Sequence, residues 1–212
     1  MRSAAELALL VVVLTDFAVL GSSRLSACIR AIAFQGVVLA LLPLLMHPVV
    51  SPHLIVLAAS TMVIKGAVLP WFLRWAIREA AVRRDVEPLV GYLASILLGA
   101  VALAIAFAVG SALPVHTAST DLLVPVSLVT VMIGLLVLIT RSKALLQVVG
   151  YLMLENGIYL FGLTQAERAP FLVDAGVLLD VFAGVFIMGI VVFHINREFD
   201  SISAARLVEL RD

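Results

Sequence analysis

Residues 144–163 read ALLQVVGYLMLENGIYLFGL, twenty residues that are almost all apolar, with Glu155 in their midst. A helix of about 20 such residues spans the hydrocarbon core of a bilayer. The same kind of run recurs along the chain. Windows of this length occupy Ala4 to Leu20, Leu25 to Met46, Leu54 to Ile77, Pro88 to Val109, Leu122 to Thr140, Ala144 to Leu163 and Phe171 to His194. The breaks between them carry turn or charge signals: GSSR at 21–24, HPVVSPH at 47–53, GSALPVHTASTD at 110–121, RSK at 141–143 and TQAERAP at 164–170. This predicts an all-α, polytopic membrane protein of about seven transmembrane helices. No linker is long enough to hold a soluble domain. The first window lies near Met1, and because another span follows at once it reads as a retained helix, not a cleaved signal.

Composition supports that class. Of 212 residues, 63% are hydrophobic and 13% charged, about half the charge of an ordinary soluble domain, with a mean hydropathy of +1.19. Lys+Arg and Asp+Glu balance at 14 each, so nothing points to nucleic acid. The single cysteine, Cys28, has no partner for an internal disulfide and reads as a packing residue.

Basic residues give the expected orientation. With seven helices, Arg24, Arg30, Arg74, Arg78, Arg83, Arg84, Arg141, Lys143, Arg197, Arg206 and Arg211 fall on one side. Arg2 and Arg168 fall on the other, and Lys65 lies within a span. Positive charge accumulates on the cytoplasmic side, which puts the N-terminus outside and the C-terminus in the cytoplasm.

Four charged residues stand out deep inside the windows: Asp16, Lys65, Glu155 and Asp180. A charge at mid-bilayer costs about 2.5–3.5 kcal/mol even on lenient scales, so such residues face a bundle interior and mark ion paths. Glu155 is about 18 Å up its helix from Lys143, and Asp180 about 21 Å from His194 on the same side. The two acids therefore lie at similar depth on adjacent helices, as a proton relay requires. Each reads equally as a neutral group bonded to a neighbouring helix. Lys65, about 13 Å above Arg74, either sets the field of the acids or snorkels to the interface. Pro70 frees a carbonyl near Lys65 and kinks that helix. Asn156 and Tyr159 support the relay or serve as helix–helix glue. Asp16, eight residues before Arg24, reads as reaching the interface, with support of the relay as its alternative. His194 reads as a helix-end residue with a secondary role in proton entry. Asp174 suits a helix N-terminus, and His47, His53 and His116 lack metal-ligand spacing. No phosphate loop, CxxC or nucleophile elbow appears, and no cofactor or metal site is expected.

The turn RSK at 141–143, the stretch GYLMLENG, the motif DVFAGVFIMGIVVF and the tail HINREFDSISAARLVELRD resemble the K-type subunit of complex I and its antiporter relatives. Those are three-helix proteins with one acid in the second helix and one in the third. Asp180 matches the third-helix acid, four residues before Gly184. The family's second-helix acid corresponds to Leu152 here, and Glu155, three residues on, is its displaced equivalent from nearly the same face. The whole chain, including IKGAVLPWFLRWAIREAAVRRDVEP, resembles component E of hydrogenase-4 and formate hydrogenlyase-type complexes. The resemblance implies a four-helix membrane region over residues 1–115 and a K-subunit-like region over 116–212. It also implies a place in the cytoplasmic (inner) membrane of a prokaryote, beside antiporter-like subunits and a peripheral [NiFe]-hydrogenase or related redox arm. The expected function is a membrane subunit contributing to proton or Na⁺ translocation through Glu155, Asp180 and Lys65. The alternatives are a purely structural anchor, in which Gly150 and Gly184 matter for packing, and a subunit of a multi-subunit cation/proton antiporter.

Overall fold

The computed structural model describes residues 2–46, 52–79, 90–113, 120–164, 180 and 182–189. Its regular elements are helices: α1 (Arg2–Leu20), α2 (Leu25–Met46), α3 (Pro52–Val63), a π-helical turn (Ile64–Val68), α4 (Leu69–Glu79), α5 (Tyr92–Ala112), α6 (Leu123–Thr140) and α7 (Ala144–Thr164). Residues 180 and 182–189 are also helical. Among the described residues six helical runs are long and apolar enough to cross a membrane, with α3, the π turn and α4 forming one of them. They fall on the first six windows read from the sequence, the fourth running Tyr92–Ala112 where the sequence put Pro88 to Val109. The seventh window lies mostly outside the described residues. The reason for helices is general: a backbone in hydrocarbon must satisfy its own hydrogen bonds.

Large apolar side chains face outward. Leu7, Leu14, Leu93 and Leu97 are all more than half exposed, as on a lipid-facing surface. Inside, the helices meet through small residues, because in lipid close backbone packing replaces the hydrophobic effect between helices. A Cβ on Gly134 would lie 2.4 Å from the Leu154 backbone nitrogen, one on Gly150 2.6 Å from that of Leu138, and one on Gly157 2.6 Å from that of Val131. These three glycines let α6 and α7 run against each other with their backbones nearly touching. Gly36 does the same for α2, where a Cβ would stand 2.7 Å from the Cβ of Lys65. At Gly184, among the described residues, a Cβ would meet nothing within 4 Å.

The irregularity expected at Pro70 takes a specific form. Proline has no N–H to donate and crowds the carbonyl four residues back. Just before it, the ladder widens to a π turn in which the Leu69 N–H bonds the Ile64 carbonyl. Lys65 sits in this turn, and π turns recur at functional sites.

Candidate intramembrane charge cluster

The π turn, α7 and the helical residue Asp180 bring three ionisable groups into one buried site. The Lys65 ammonium bonds the Glu155 carboxylate, and it lies 3.3 Å from Asp180 Oδ1 and 3.1 Å from Asn156 Oδ1. An ammonium has three hydrogens, and these three contacts use them all. Lys65, Glu155 and Asp180 are 5%, 0% and 4% exposed. Lys65 therefore turns inward to the acids, not outward to the interface. Its Nζ also stands 5.8 Å from the Tyr159 ring centroid, within reach of a cation–π contact. The Tyr159 hydroxyl lies beside Thr61. That hydroxyl and Glu155 Oε1 have no hydrogen-bond partner among the described residues.

Lys65, Glu155, Asp180, Asn156 and Tyr159, all singled out in the sequence, thus share one site. His194 lies outside the described residues. The expectation for Asp16 needs correction. Asp16 does not reach the interface: it is 0% exposed, because α1 packs between α2 and α6 and both present donors to it. Gln35 Nε2 bonds its Oδ1 at 2.7 Å, and the Thr130 hydroxyl bonds its Oδ2 at 2.8 Å. Gln35 in turn accepts from Asn156 Nδ2 at 2.9 Å.

Sequence reasoning missed Gln35, Thr130 and the role of Arg141. Gln35 was legible as the one polar side chain in the run AIAFQGVVLALL at 31–42, next to the glycine that touches Lys65. Arg141 was read only as a basic turn residue. It is 1% exposed, its Nη2 bonds the Leu20 carbonyl at 2.8 Å, and its guanidinium stands 5.6 Å from the Tyr92 ring centroid. It ties the α6–α7 turn to the end of α1. Burial pushes its guanidinium below the ordinary arginine value.

No model of a known protein family matches the chain, and no solved structure does. Hydrogenase-4 component E of Escherichia coli K12 is 29% identical over 163 residues, covering 76% of this chain and 75% of that protein. The Shigella flexneri protein of the same name matches equally. The Mycobacterium tuberculosis protein named "Uncharacterized protein Rv0085" is 33% identical over 203 residues, covering 94% of this chain and 92% of its own length. At that identity and coverage, this multi-pass membrane chain belongs to the family of the mycobacterial protein Rv0085.

Proposed function

We propose that this chain is a membrane subunit of a hydrogenase-type or complex I-like redox assembly, and that Lys65, Glu155 and Asp180 handle the protons, or Na⁺, which that assembly moves. The similarity to hydrogenase-4 component E supports the assembly. The observation that carries the charge-handling role is one buried ammonium shared between two buried carboxyls. An isolated charge in hydrocarbon is expensive. One ammonium balances one carboxylate, so the second carboxyl holds a proton or a bound cation and can exchange it. Glu155 Oε1, free of protein partners among the described residues, is a site for that proton. The distribution of Lys and Arg supports an N-terminus outside and a C-terminus in the cytoplasm of a prokaryotic inner membrane. The energy would come from partner subunits, since moving one charge through 100 mV takes about 2.3 kcal/mol.

The test is the assembled complex, purified with its partners and reconstituted in vesicles. Glu155→Gln combined with Asp180→Asn abolishes ion translocation while redox turnover continues. Full translocation by that double variant would remove the charge-handling role and leave a structural anchor.

A further inference from the structure

Beyond the three-residue cluster, the buried hydrogen bonds continue without a gap from Lys65 through Asn156 and Gln35 to Asp16. Their direction is fixed by chemistry. An ammonium can only donate, so Asn156 turns its Oδ1 to Lys65 and its Nδ2 to Gln35. Gln35 then turns its Oε1 to Asn156 and its Nε2 to Asp16. Two amide dipoles are thereby aligned head to tail between a cation on the π turn and a carboxyl on α1. Both Asp16 oxygens face donors, Gln35 and Thr130, as an acceptor-only carboxylate requires. Among the described residues no lysine or arginine contacts Asp16 directly. Asn156, Gln35, Asp16 and Thr130 are each 2% exposed or less.

A carboxamide is too weak a base to accept and release protons in such a row, so the chain transmits charge, not protons. We propose that Asp16 is the distal counter-charge of Lys65: through the two aligned amides, an ionised Asp16 keeps the ammonium charged when both Glu155 and Asp180 carry protons. This rests on the charge-handling role proposed above. With Asp16 ionised, Lys65 and Asp16 balance each other, and the two nearer carboxyls are free to be neutral together. Without Asp16, Lys65 must keep one of them as its counter-ion, and the cluster loses one of its two exchangeable states. Asp16 is thus a positioning residue acting through Gln35 and Asn156, outside the proton route itself.

Asp16→Asn separates charge from shape. The new side chain keeps an oxygen for Gln35 and offers an N–H to the Thr130 hydroxyl, which can accept it. In the assembled, reconstituted complex, Asp16→Asn is expected to lower ions moved per redox turnover on the order of tenfold, the scale of a typical coupling between sites. Asp16→Glu restores most of it. Gln35→Met, which cuts the chain and leaves Asp16 in place, reproduces the loss, and combining it with Asp16→Asn adds little, as expected of residues acting as one unit. On the full chain in lipid, the infrared carboxyl bands assigned with Glu155→Gln and Asp180→Asn shift in both Asp16→Asn and Gln35→Met. Wild-type translocation and unshifted bands in Asp16→Asn overturn the proposal. If Glu155→Gln with Asp180→Asn still abolishes translocation in that case, the cluster's own role survives; if it does not, both readings fall.

Discussion

The Lys65 ammonium and the Glu155 carboxylate meet from different helices, one raised on a π turn and the other in the middle of α7. Neither is near a helix end, and both are buried. Their pairing joins α7 to the broken α3–α4 span, which the sequence places about ninety residues away. A pair so placed has consequences for stability as well as for ion movement.

Breaking a buried pair from one side leaves an uncompensated charge and typically costs about 3–5 kcal/mol. Lys65→Met is therefore expected to destabilise the chain strongly. Lys65→Met combined with Glu155→Gln, Asp180→Asn and Asp16→Asn removes the ammonium together with every carboxyl that can balance it and recovers most of that loss. Cys28 is the single cysteine and is buried, so the temperature at which its thiol becomes reactive in detergent reports the melting of each variant. Equal melting of Lys65→Met and wild type would contradict a buried ammonium at this position.

The α6–α7 seam predicts a contrast between two glycines. Gly150→Ala drives a Cβ into the Leu138 backbone, which cannot give as a flexible side chain would, and is expected to cost about 1–3 kcal/mol. Gly184→Ala meets open space among the described residues and is expected to stay within about 0.5 kcal/mol of wild type. The same thiol-exposure melting curves measure both.

Arg141 predicts a purely structural defect. Arg141→Met leaves the Leu20 carbonyl without its donor and is expected to cost about 1–3 kcal/mol, lowering the melting temperature. Arg141 makes no contact with the Lys65 cluster among its described bonds. Complexes that assemble with Arg141→Met should therefore move ions per turnover as wild type does.

The fold was readable because each span is a continuous apolar run bounded by turn or charge signals, a local property of the sequence. Lys65, Glu155 and Asp180 were readable for a related reason: ionisable groups in hydrocarbon stand out against their neighbours. What was not readable was which of them meet. The contact of Lys65 with Glu155 depends on the rotation of its helix, and the π turn before Pro70 changes that rotation in a way that an ideal 3.6-residue repeat does not describe. Asp16 was misjudged for the same reason. Counting eight residues to Arg24 gave its depth along α1 but not its azimuth, and azimuth decides whether it faces lipid or Gln35 and Thr130. Gln35 is neutral and shows only as a lone polar side chain in an apolar run, and Thr130, a small hydroxyl residue, gives no signal apart from its partner.

Ion movement through the cluster is tested by the variant that removes the ammonium with every carboxyl able to balance it, Lys65→Met with Glu155→Gln, Asp180→Asn and Asp16→Asn, in the assembled complex reconstituted in vesicles. Because its charges are removed together, it should assemble and sustain redox turnover, so that a loss of transport cannot be blamed on misfolding. The measurement is ions moved per redox turnover. A cluster that carries the ions gives a ratio near zero; a ratio equal to that of the wild-type complex rules out that role.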